Sequence, residues 1–188
     1  MQNRPPVVGV WGRSGSGKTH LIVELLHGWF RHENLRVAVV KRCSHRMQVD
    51  APGKDSDVLF RAGADVFAHN PEQGFLRCRP GDAALNDVLH WLTPGYDLIL
   101  VEGHRESPIP KLWLASEEAP NPPPDARNVV AVLARDETRT ARAEEILTKL
   151  LKEAHARTPT YAAVLVGGRS RRMGRPKSLL RTLEGFLI

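Results

Sequence analysis

Gly12-Arg13-Ser14-Gly15-Ser16-Gly17-Lys18-Thr19 satisfies the pattern G-x-x-x-x-G-K-[ST] at every fixed position. The apolar run Val7-Val8-Gly9-Val10-Trp11 leads into it. His20-Leu21-Ile22-Val23-Glu24-Leu25-Leu26, with helical spacing, leads out. Strand, glycine loop and helix form the context in which this pattern has a physical meaning. Glycines let backbone N–H groups turn inward and approach a phosphate chain closely. The N-terminus of the following helix adds its partial positive charge. In that geometry Gly12, Ser14, Gly15, Ser16 and Gly17 would cradle phosphates and Lys18 would reach the β- and γ-phosphates. The Thr19 hydroxyl would bind Mg²⁺. Nucleoside triphosphate binding is the first expectation.

The rest of the chain alternates. Strands are predicted over 6–11, 35–41, 96–103, 111–115 and 128–134, with a further one over 161–166. Residues 64–69 and 74–79 read as two shorter strands. Helices are predicted over 18–32 and over 55–63, the latter with Asp55 as cap and Val58, Leu59 and Ala62 as its apolar stripe. Two more are predicted over 83–92, capped by Asp82, and over 138–155. The fold class is therefore α/β, a mostly parallel sheet with helices on both faces, in the P-loop NTPase manner. Ligands of such sheets bind at the carboxyl ends of the strands. That rule separates two acids of the run 96–103. Asp97 and Glu102 lie roughly 16 Å apart along a strand, so only Glu102 falls beside the glycine loop, where it would serve the metal or a water in its shell. Asp97 is expected to start the strand or pair at the surface. Asp136, after the strand over 128–134, would accept from a guanine ring or cap the next helix.

Length and composition narrow the classes further. The 188 residues suffice for one domain with a sizeable core. Cys43 and Cys78 are the only cysteines, which is no disulfide framework and fits a reducing, cytoplasmic setting. Neither a membrane-spanning apolar run nor a signal segment is evident. The net charge is +6, from 27 basic and 21 acidic side chains. Residues 159–188 carry six of those basic residues and one acid, so the other residues hold 21 basic and 20 acidic. The basic excess belongs to the tail, which argues against nucleic acid as a partner of the main body.

Lys41-Arg42-Cys43-Ser44-His45 follows the second long strand on the ligand side. Lys41, Arg42, His45 and Lys54 would face an anionic substrate there, and Asp50 or Asp55 would orient water or metal. Cys43 and His45 alone are too few for a structural metal site. Taken together, the glycine loop at 12–19, Lys41 with His45, Pro52-Gly53-Lys54-Asp55-Ser56, Arg61-Ala62-Gly63-Ala64 and Val101-Glu102-Gly103 resemble molybdopterin-guanine dinucleotide biosynthesis protein B, the MobB family. The resemblance covers about residues 5–156. It implies a dimeric GTP- and Mg²⁺-binding protein that hydrolyses GTP weakly. It also implies an assisting role in attaching GMP to molybdopterin, with a MobA-like guanylyltransferase and molybdopterin among its contacts. In that frame Lys18 and Glu102 are the candidate catalytic residues, and Thr19 and Glu102 the metal ligands. Lys41, His45 and Asp136 join the loop in holding the nucleotide. The family carries more histidine near Lys41, where this chain has Arg42, Cys43 and Arg46.

Gly167, Gly168, Ser170, Arg172, Met173, Gly174 and Lys177 resemble the opening motif G-G-x-S-x-R-M-G-x-x-K of MobA. A division into a MobB-like domain at 1–157 and a MobA-like fragment at 158–188 follows. The fragment is expected to have no transferase activity by itself, since a nucleotidyltransferase needs a full domain. No Asn-Lys-x-Asp is present to read guanine, and no assured arginine finger or water-positioning residue is evident, hence the expectation of slow turnover. On the residues alone, a small-molecule kinase with its acceptor at 41–56, a GTPase metallochaperone and a non-enzymatic adaptor stay open.

Overall fold

The computed structural model describes residues 5–43, 47–79, 84–157, 181–182 and 185–186. The chain divides into two compact units, Met1–Ala156 and Arg157–Ile188. The second contributes two short antiparallel strands, Arg181–Thr182 and Gly185–Phe186, among the described residues. The readings placed on Gly167, Gly168, Arg172 and Lys177, on the strand over 161–166, on the Asp82 cap and on His45 lie outside the described residues.

The first unit is built on five parallel strands: β1 (Val7–Trp11), β2 (Val37–Lys41), β5 (Leu98–Glu102), β6 (Lys111–Leu114) and β7 (Val129–Leu133). They lie in the order β2-β5-β1-β6-β7, so β1 and its loop sit at the centre. Strand side chains alternate between the two faces. Val8, Val10, Leu98, Leu100, Leu112, Leu114 and Leu133 form one face. They meet Leu21, Ile22 and Leu25 of α1 (Lys18–His27), Phe30 of α2 (Trp29–His32), and Ala143, Leu147 and Leu151 of α5 (Arg139–Ala156). Ala38, Ile99 and Val101 form the opposite face, under Leu85, Leu89 and Leu92 of α4 (Ala84–Leu92). Helices therefore cover both faces of a parallel sheet, as the near-continuous apolar runs require.

Two local expectations are corrected, and the two short strands are found as read, off the main sheet. The helix over 18–32 is two helices. Gly28, at φ −92° and ψ −102°, interrupts it and donates its N–H to Glu24 O at 2.9 Å. Glycine tolerates this break and gains least from staying helical. The two short strands, β3 (Val66–His69) and β4 (Gly74–Arg77), form a separate antiparallel hairpin and do not join the sheet. In α3 (Asp55–Arg61), the N-cap position is Lys54, and Asp55 is the first helical residue. Val58 and Leu59 are more than half exposed, and the buried residue of the helix is Asp57. Its Oδ2 accepts from Gly53 N–H at 3.0 Å, closing the turn that precedes the helix. No helix of the described residues is long and apolar enough to cross a membrane.

Candidate functional site

The loop after β1 owes its shape to its glycines. A Cβ on Gly12 would lie 2.5 Å from Ser16 Oγ and 2.7 Å from Leu114 O, so no larger residue fits. Gly17 holds the N-cap of α1 at φ 88° and ψ 20°, a left-handed conformation that side chains disfavour. Ser16 is buried. Its N–H donates to Arg13 O at 3.2 Å, while its Oγ has no hydrogen-bond partner among the described residues. A buried hydroxyl without a partner is costly and marks a place prepared for something else.

Lys18 Nζ folds back over the loop and donates to Gly12 O at 2.9 Å and Arg13 O at 2.7 Å. Burial lowers its pKa, the nearby Glu102 carboxylate opposes that shift, and Lys41 adds to it. Parallel register brings the other charges to the loop. Glu102 ends β5 beside Val10 of β1 on one flank and Lys41 of β2 on the other. Thr19 Oγ1 donates to Glu102 Oε2 at 3.2 Å. Lys41 Nζ lies 3.3 Å from both Glu102 Oε2 and Thr19 Oγ1. Lys18, Thr19, Lys41 and Glu102, chosen from separate parts of the sequence, thus converge at one end of the sheet. Asp97 lies at the opposite end of β5. It accepts from Arg36 N–H at 2.8 Å, and its own N–H donates to Arg36 O.

Asp136 does not join that cluster directly. Its Oδ1 accepts from Thr138 N–H at 2.9 Å and Thr138 Oγ1 at 2.7 Å, bonds that lower its pKa and close the turn before α5. It also lines a cavity of about 470 Å³ beside the glycine loop, with Ser16, Gly17, His20 and Arg139. Asp50 and Asp57 face a second cavity of about 390 Å³ together with Arg61 and Arg77. Cys43 is exposed, and no group of three or more His, Cys, Asp or Glu suited to a metal ion occurs among the described residues.

Arg139 is the residue that sequence reasoning missed. Its Nη1 donates to Ser16 O at 2.8 Å, its Nη2 to Ala115 O at 2.7 Å and Leu133 O at 3.4 Å, and its Nε to Ala134 O at 2.5 Å. One guanidinium thereby ties the glycine loop to the carboxyl ends of β6 and β7. A signal existed: a cation as the first residue of a helix opposes the helix dipole and needs a compensating reason.

A family profile described as Molybdopterin guanine dinucleotide synthesis protein B, MobB, matches residues 7–135. The Haemophilus influenzae molybdopterin-guanine dinucleotide biosynthesis adapter protein is 36% identical over 138 residues, 71% of this chain and 76% of the relative. The Escherichia coli protein of the same name is 33% identical over 137 residues, 68% of this chain and 77% of the relative. The X-ray structure of a MobB homologue from Bacillus stearothermophilus aligns with a TM-score of 0.57 at 25% identity, covering 80% of this chain and 99% of its own. A crystal structure of molybdopterin-guanine biosynthesis protein B gives 0.59 at 25% identity, over 79% and 99%. The matched residues hold the glycine loop, Lys41 and Glu102, and end one residue before Asp136. With sequence and architecture in agreement over most of its length, this chain belongs to the MobB family.

Proposed function

We propose that this chain is an adapter in molybdopterin guanine dinucleotide synthesis. It binds GTP with Mg²⁺ at the 12–19 loop, hydrolyses it slowly, and assists a MobA-like guanylyltransferase in transferring GMP to molybdopterin. The carrying observation is the meeting of Lys18, Thr19, Lys41 and Glu102 at the carboxyl end of the sheet. In this reading Lys18 leaves the Gly12 and Arg13 carbonyls for the β- and γ-phosphates, which repay its desolvation better than neutral acceptors do. The N–H groups of Gly15, Gly17 and Lys18 and the N-terminus of α1 face the phosphate chain. Ser14 and Ser16 complete the loop.

The donor set suits Mg²⁺. Thr19 Oγ1 and Glu102 Oε2 are hard oxygens 3.2 Å apart, and Mg²⁺ commonly takes one or two protein oxygens and fills the rest with phosphate and water. When bound, the ion would neutralise charge on the β- and γ-oxygens. Slow turnover is part of the proposal, and two arginines near the sheet's carboxyl end are engaged elsewhere. Arg139 spends its donors on carbonyls of the fold, and Arg105 is held by Asp125 at 2.5 Å. The cavity beside Asp136 is the place for the base, with the Asp136 carboxylate as its acceptor. A homodimer is part of the proposal.

Equilibrium binding of GTP and ATP with Mg²⁺, to the full chain and to Lys18→Ala, tests this reading. A preference for GTP, with affinity about 100-fold lower in the variant, is the expected result. Equal affinity for both nucleotides, or binding indifferent to Lys18, overturns it. Co-purification with a MobA-like transferase tests the adapter role.

A further inference from the structure

Lys41 is placed by the sheet and not by chance of side-chain reach. It is the last residue of β2, and the parallel register sets it directly beside Glu102, the last of β5. Its ammonium lies 3.3 Å from Glu102 Oε2 and 3.3 Å from Thr19 Oγ1, the two oxygens that also bond each other at 3.2 Å. One cation already bridges the hydroxyl and the carboxylate. The pair joins a half-exposed lysine to a carboxylate only 13% exposed, so the ammonium covers an anion that solvent reaches poorly.

Charge bookkeeping supplies a reason for this cover. Lys18, Lys41 and Glu102 together carry one net positive charge. At Lys18 the Glu102 carboxylate and the Lys41 ammonium work in opposite directions. A bare divalent cation entering here would meet Lys41 on its ligands and raise the positive charge. The same cation carried on a triphosphate arrives with net negative charge, and the flexible lysine stem lets the ammonium move to the phosphates.

We propose that Lys41 is a specificity-determining residue, a tethered counter-cation that shields Thr19 and Glu102 from free divalent metal and gives them up only to metal that arrives with a nucleotide. Its second half rests on the nucleotide reading above, and its first half does not.

Mn²⁺ is the probe. The electron paramagnetic signal of free Mn²⁺ is followed during titration with the nucleotide-free full chain. The wild type is expected to leave Mn²⁺ free. Lys41→Met is expected to bind it at least about tenfold more tightly, because a like charge at the ligands has been removed. Lys41→Arg should behave as the wild type, and adding Glu102→Gln to Lys41→Met should abolish the gain. Tight Mn²⁺ binding by the wild type overturns the proposal. So does a folded Lys41→Met that binds no better, or a gain that survives Glu102→Gln. Water-proton relaxation with Mn²⁺ and GTP forms a separate arm. If the wild type adds nothing to the relaxation of Mn²⁺·GTP alone, the nucleotide reading fails, while the nucleotide-free titrations still decide the role of Lys41.

Discussion

Asp57 illustrates how a single acid can organise a loop. Only 3% of it is exposed. Besides Gly53 N–H, it accepts from Arg61 Nε at 2.8 Å and from Arg77 Nη1 at 2.9 Å. Those three donors, with the Gly53 bond foremost, hold its pKa down at about 2 against an ordinary 3.8. Through Arg77, which lies 3.6 Å from Asp50 Oδ2 and 4.0 Å over the Phe60 ring, the same acid joins the 47–57 segment to β4. The depressed value fixes the direction of the pH dependence. The unfolded chain takes up this proton first as pH falls, so the stabilisation is complete above the ordinary value and is lost between about pH 4 and pH 2. Melting midpoints measured from pH 7 to pH 2 should therefore drop in that window for the wild type. Asp57→Asn should melt several degrees lower at pH 7 and show a flatter profile below pH 4. A variant curve parallel to the wild type would remove Asp57 from this role.

At the scale of elements, α5 does two jobs through one end and one face. Its face packs Leu147, fully buried, against the sheet, and Thr140 Oγ1 reaches Glu24 Oε2 of α1 at 2.6 Å. Truncating a buried leucine costs the transfer energy plus a cavity, so Leu147→Ala should lower the unfolding free energy by about 2–5 kcal/mol in denaturant titrations. Its first residue, Arg139, holds the glycine loop. Arg139→Ala should cost only about 1–2 kcal/mol of stability, since the side chain is partly solvated. Its effect on nucleotide affinity should be larger, about tenfold or more, because a loop displaced by even an ångström loses aligned donors. Isothermal titration on the two variants separates the roles: Leu147→Ala should melt early yet bind, and Arg139→Ala should melt near normal yet bind poorly. The face of α5 was legible in the sequence, from Leu147, Leu150 and Leu151 at helical spacing, and so were β1 and β5, from apolar runs closed by the loop and by Glu102. The convergence of Lys18, Thr19 and Glu102 was legible too, because the motif and the carboxyl-end rule fix both. Arg139 was legible only as a cation at a helix start; its hold on Ser16, 123 residues away, was not, since only the assembled sheet makes them neighbours. The inward turn of Asp57 was also hidden: periodicity scores apolar side chains, and here the buried position is filled by an acid held by Gly53 and Arg61 nearby and by Arg77 from β4.

Within the first unit, one hairpin stands outside the sheet. Among the described residues β3 and β4 pair with each other and with no further strand, and two strands alone are marginally stable in water. Their alternation divides the hairpin into two unlike faces. Val66, Ala68, Phe75 and Arg77 belong to one, and Arg77 ties it to Asp57 in α3. Phe67 and Leu76 stand directly opposite each other on the other face, 65% and 48% exposed. An aromatic paired with an aliphatic residue on a bare sheet face is the kind of surface that a partner covers. The homodimer expected of this chain supplies one with the required self-complementarity, since a two-fold interface presents the same patch from both copies. Phe67→Asp should then bring the mass measured by light scattering down from a dimer to a monomer at micromolar concentration. Lys18 and Thr19 open α1 and Glu102 ends β5, all outside the hairpin, so nucleotide affinity per chain should change by less than about threefold, within the usual additivity of separate sites. A Phe67→Asp chain that keeps the wild-type mass would place the interface elsewhere. A wild-type chain that is already monomeric would leave the hairpin face for a different partner.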